Sequence, residues 1–123
     1  RVLFRSTHDA FNRWPDQLAR RLIERGSDRL AGVMNQGLGG NRILHDDRGD
    51  SGLRRFDRDV LAQPGITHAI VMLGTNDLRN RFARPEEEVT AEQMIAGMSQ
   101  MAIRARARGV RQLTPEEEQR YLS

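Results

Sequence analysis

Two short segments carry residue types that could do chemistry: Asn35-Gln36-Gly37-Leu38-Gly39-Gly40-Asn41 and Gly74-Thr75-Asn76-Asp77. A glycine lets a bare backbone N–H approach a ligand closely. An asparagine adds a side-chain amide donor. Aimed at one point, such donors hold an oxyanion, the charge that develops when an ester carbonyl is attacked. Taken singly, each segment also has a plainer reading. Gly37, Gly39 and Gly40 suit a turn, and Asn76-Asp77 suits a helix cap.

The histidines form no comparable set. His8 lies in a polar loop, and His68 starts an apolar run. His45 precedes Asp46-Asp47, but one histidine and two adjacent acids do not make a defined ligand set. All three read as solvated or capping residues, so no metal site is expected. Cysteine is absent, which excludes disulfides, zinc ribbons and thiol nucleophiles.

The elements that must position the two segments follow from periodicity. Trp14-Pro15 opens a helix with Leu18, Leu22 and Ile23 at helical spacing, and Gly26 stops it. Leu30 to Asn35 reads as a short strand ending in the glycine-rich turn. Ser51 can cap a helix from Gly52 to Ala62 with an apolar face of Leu53, Phe56, Val60 and Leu61, broken by Pro64-Gly65. His68-Ala69-Ile70-Val71-Met72-Leu73 reads as a strand buried on both faces, ending at Gly74. Glu86-Glu87-Glu88 suits the positive end of a further helix. Met94, Ile95, Met98, Met101, Ala102 and Ala105 continue that helix, with the methionines at 94, 98 and 101 as its core, and Gly109 closes it. The alternation predicts an α/β fold with a parallel sheet. Both candidate segments then leave C-terminal strand ends, where open α/β sheets bind ligands.

The 123 residues allow one domain. All 20 basic residues are arginine, yet 17 acids interleave with them and the net charge is only +3. An arginine-rich nucleic-acid binder is one reading. The scattering of arginines among acids and the lack of an aromatic platform argue against it. No apolar run approaches the length that spans a bilayer.

Four segments in order resemble the SGNH hydrolases, also called GDSL-type esterases and lipases. They are Asn12-Arg13-Trp14-Pro15-Asp16 leading into Leu18-Ala19-Arg20-Arg21-Leu22, then Asn35 to Asp46, then Arg55-Phe56-Asp57-Arg58-Asp59-Val60-Leu61, then Gly74-Thr75-Asn76-Asp77. The resemblance spans roughly residues 6 to 110. It implies a flavodoxin-like three-layer αβα sandwich with a parallel sheet. It also implies a hydrolase of acyl esters on small molecules, carbohydrates or lipids, acting through an acyl-serine intermediate without a metal or organic cofactor, and the chain is expected to be bacterial. By position, Gly40 and Asn76 look like the family's oxyanion-hole glycine and asparagine. Members of the family are often exported.

The family's nucleophilic serine and its Asp-x-x-His pair have no counterparts here. Gly49-Asp50-Ser51-Gly52 spells the nucleophile motif, but it follows the Gly40 loop and no strand leads into it, so Ser51 or Asp50 reads as a helix cap. Ser6 follows the apolar stub Val2-Leu3-Phe4, but it sits too close to Trp14 and lacks the Gly-Asp before it. Residues 1–6 resemble a translated sequencing-adapter end and read as a non-native stub. Residues 7–110 then form a partial hydrolase domain, and 111–123 form a divergent tail. The expectation is a fragment that keeps the oxyanion-hole loops, lacks nucleophile and base, is inactive by itself and is only marginally stable. The alternative is a non-catalytic carbohydrate- or lipid-binding module of the same fold.

Overall fold

The computed structural model describes residues 13–26, 32–80, 84–111 and 116. The chain divides into two compact units, one of residues 1–39 with 114–123 and one of residues 40–113.

In the first unit, helix α1 runs over Trp14–Glu24 and buries Pro15, Leu18 and Leu22. Pro15 occupies a first-turn position, where its missing N–H breaks no helical bond. The Asp16 carboxylate accepts the Arg13 N–H at 3.0 Å, which satisfies a donor the helix leaves open and places negative charge at the positive end. The chain leaves α1 at Gly26, as expected. Ile23 lies outside the buried stripe, at 78% exposure. The strand expected over Leu30 to Asn35 falls partly outside the described residues, and residues 32–38 form no regular element. A local bond takes its place: the Asn35 Oδ1 accepts the Gly37 N–H at 2.9 Å.

The second unit holds the other helices. Helix α2 covers Gly52–Phe56, and a π-helical turn follows over Asp57–Leu61. Helix α3 covers Thr75–Asn80, a 3₁₀ turn covers Pro85–Glu87, and helix α4 covers Ala91–Ala107. The single helix expected from Gly52 to Ala62 is thus an α-turn widened into a π-turn, sealed by the bond from Ala62 N–H to the Asp57 carbonyl at 2.8 Å. The wider turn brings Leu61, five residues after Phe56, into the same core. The start of α4 is set at Thr90, not at the Glu86–Glu88 run. Thr90 and Gln93 cap each other reciprocally, side chain to backbone, at 3.1 and 2.9 Å.

The core gathers Ile43, Phe56, Leu61, Met101, Ala105 and Val110, with Met94 and Met98 packed against it. Helix α4 packs closely on the Ile43 and Leu44 side chains because Gly97 has no side chain. A Cβ there would lie 2.8 Å from the Ile43 Cγ2 and 3.0 Å from the Leu44 Cδ2. Arg104 ties α4 to α2: its Nη2 donates to the Leu53 carbonyl at 2.9 Å, and its Nη1 pairs with Asp57 at 3.0 Å. The same guanidinium lies 5.9 Å from the Phe56 ring centre, a cation–π approach.

Among the described residues the expected parallel sheet and flavodoxin-like αβα sandwich are not formed. Among the described residues there is no strand, only isolated bridges at Asp47↔Gly49 and at His68↔Arg111. Residues 68–73 do show a strand's alternation. Ala69, Val71 and Leu73 pack against the core, while Met72 is 65% exposed. The backbone of that run meets one parallel partner, at Arg111, whose N–H reaches the Thr67 carbonyl at 2.8 Å. A ladder needs a second chain segment in register along its whole length, and apolar content alone does not provide one. The run is also covered on one side and not on both.

Candidate functional site

The end of the first segment, Gly40-Asn41, and the second segment both lie in the second unit, and they meet there. The Asn76 Nδ2 donates to the Asn41 carbonyl at 3.0 Å, next to Gly40 in the chain. One residue on, the Asp77 carboxylate accepts the Ile43 N–H with both oxygens, at 3.1 and 3.0 Å. Asn76 and Asp77 lie in the first turn of α3, which begins at Thr75, so they do not form its cap. Their side chains grip alternate backbone groups of the 41–43 segment.

That segment is the most deeply buried polar stretch among the described residues: Asn41, Arg42 and Ile43 all have 0% exposure. Burying polar groups is tolerable only when they are hydrogen-bonded. Asn41 meets the condition fully. Its Nδ2 donates to the Asp50 carbonyl at 2.7 Å and to the Arg48 carbonyl at 3.3 Å. Its Oδ1 accepts from Arg55 Nη2 at 3.0 Å and Nε at 3.2 Å. Arg55 is itself buried and pairs with Asp59 at 3.3 Å. The Arg42 Nη1 meets the Glu87 Oε2 at 2.6 Å, and its Nη2 meets the Glu87 carbonyl at 2.8 Å. The Arg42 Nε has no hydrogen-bond partner among the described residues and lies 3.9 Å from the Asp77 Oδ1.

Gly40 turns the chain into this lattice with φ +80°, a left-handed conformation that side chains rarely adopt. A Cβ here would also lie 2.6 Å from the Arg48 Cγ. The N-terminus of α2 closes the segment from the other end. Gly52 N–H donates to the Arg42 carbonyl at 2.7 Å, and Leu53 N–H donates to the Ile43 carbonyl at 3.0 Å. Ser51 caps α2, its hydroxyl accepting the Arg54 N–H at 3.2 Å. The Asp46 carboxylate accepts the Ser51 N–H at 2.6 Å and pairs with Arg54 at 2.7 Å. The Ser51 N–H, aided by the Arg54 guanidinium, holds the Asp46 carboxyl below its ordinary value. Asp59 is lowered likewise, chiefly by its bond from Arg58.

The remaining candidates are dispersed. Ser6 and His8 lie outside the described residues. His45 is half-buried, and His68 sits with Nδ1 2.9 Å from the Thr67 hydroxyl. Among the described residues no three His, Cys, Asp or Glu side chains gather as a metal site. Asp77, Arg42 and Glu87 were not legible as site residues. Their partners lie 34 and 45 residues away, and no local spacing marks the pairings.

The chain matches the family model described as the GDSL-like lipase/acylhydrolase family over residues 4–120. It belongs to that family. The match runs through α1, both gripping segments and α4. It makes this a hydrolase-family chain, as the order of the four sequence segments suggested. No curated protein matches it. Among the described residues no helix is long and apolar enough to cross a membrane.

Proposed function

We propose that this chain supplies the oxyanion-stabilising part of a serine acyl-ester hydrolase, with the Gly40 N–H and the Asn76 side-chain amide as the two donors. The observation that carries the reading is the 3.0 Å bond from Asn76 to the carbonyl of Asn41, the residue that follows Gly40. An asparagine amide has two hydrogens. Asn41 takes one, and the second serves the guest oxygen. Attack on an ester carbonyl drives charge onto that oxygen, and donors already in place stabilise it without reorganising. The Asp77–Ile43 and Asn41–Arg55 bonds supply the rigidity such preorganisation requires.

Nucleophile and base are not carried at matching positions. Ser51 is buried, and its hydroxyl serves α2. The chain alone therefore turns over no ester, because donors without a nucleophile start no acyl transfer.

The test uses a chimera in which the Gly-Asp-Ser and Asp-x-x-His segments of an active esterase of the same family are joined to this chain. Its serine takes a fluorophosphonate label, and Asn76→Ala lowers kcat for a small acetyl ester by about 10²- to 10³-fold with little change in KM. An unchanged kcat overturns the assignment of Asn76. The 123-residue chain by itself hydrolyses p-nitrophenyl acetate no faster than buffer.

A further inference from the structure

Asp77 has no part in binding an oxyanion, since a carboxylate repels one. Yet it is wholly buried beside the donor residue, and both its oxygens are spent on one backbone N–H. Burying a carboxylate is costly, and the charge-assisted bond from Ile43 together with the Arg42 guanidinium 3.9 Å away offsets that cost. The geometry explains why the site carries it. A single bond from Asn76 to Asn41 leaves the first turn of α3 free to pivot about that contact. A second bond from the neighbouring residue, to a backbone group two positions along, removes the pivot.

We infer that Asp77 is a positioning residue: by clamping the Ile43 N–H it fixes the Asn76 amide against the Asn41 carbonyl, and so sets the gap between Asn76 and the Gly40 N–H. The inference rests on reading those two donors as an oxyanion pair. Arg42 completes the clamp by joining Glu87 to the same segment, with one guanidinium edge on the Glu87 carboxylate and carbonyl. Asp77 itself touches no substrate.

The experiment is amide exchange by NMR on the full ¹⁵N-labelled chain and its Asp77 variants. It follows the Ile43 backbone N–H, the Asn76 side-chain amide and, as references, the Met101 and Ala105 N–H groups of α4. In Asp77→Ala, exchange at Ile43 and at Asn76 rises together by about tenfold or more, the range for a lost bond to a charged acceptor. The α4 references change much less. Asp77→Asn keeps one acceptor oxygen and restores part of the protection at both sites, which covers the case of an alanine variant that does not fold. Two results overturn the inference: a uniform rise across Ile43, Asn76 and α4, or a rise at Ile43 that leaves Asn76 unmoved. Exchange needs no turnover. A failure of Asp77 to position Asn76 is thus read separately from a failure of Asn76 as an oxyanion donor, which the kinetic test decides.

Discussion

The Asn76 side-chain amide donates to the Asn41 backbone carbonyl at 3.0 Å, so the first turn of α3 is bonded to a loop 35 residues earlier. Around this bond the polar groups of residues 41–43 are held by four side chains from three other places in the second unit: Arg55 of α2, Glu87 of the 3₁₀ turn, and Asn76 and Asp77 of α3. The consequences can be measured.

Asn41→Ala removes two part-buried bonds to carbonyls and two buried bonds from the Arg55 guanidinium. Unpaired buried groups cost far more than a bond to water gains, so the loss is about 2–4 kcal/mol. Urea unfolding of the variant against the parent chain measures it. A loss under about 1 kcal/mol is incompatible with a saturated Asn41.

Gly40→Ala meets two penalties, a left-handed backbone and the Arg48 side chain. Together they cost about 2–3 kcal/mol. Arg48→Ala removes the closer atom, the Cγ at 2.6 Å. In that background the cost of Gly40→Ala falls to about 1–2 kcal/mol, the backbone share plus the remaining approach of the residue-48 Cβ at 3.2 Å. A double-mutant cycle checks this, and equal costs in both backgrounds refute the contact.

Ser51→Ala costs about 1 kcal/mol, the usual effect of losing an N-cap. Ser51→Thr, which keeps the hydroxyl, loses less. Peptide mass spectrometry after fluorophosphonate treatment finds no adduct on Ser51. An adduct there gives the Gly49-Asp50-Ser51 string a catalytic role that a cap does not have.

Acid should weaken the fold through Asp46 and Asp59. Both carboxyls bind protons less readily in the native chain than in the unfolded one, whose ordinary value is 3.8. The stability they contribute is complete above that value and drains away as pH falls through their lower native values. Thermal midpoints followed from neutral to strongly acidic pH show this decline. Asp46→Asn makes the acid limb shallower, whereas an unchanged limb removes Asp46 from the account.

What the sequence determined by itself was local. Pro15 and Gly26 bound α1, and Gly109 follows α4, because backbone stereochemistry acts within a turn of the residue that imposes it. Ser51 was readable as a cap for the same reason. The Met94, Met98 and Met101 stripe marked the buried face of α4 through its spacing. The family was readable from the order of four motifs. Tertiary structure decided the rest. The run from Ala69 to Leu73 has a strand's composition, but pairing depends on another segment lying alongside, and among the described residues its one bridge is at the preceding His68, to Arg111. Asp77, Arg42 and Glu87 gave no sign of their roles, because a buried charge is explained only by the distant group that meets it, and folding chooses that group.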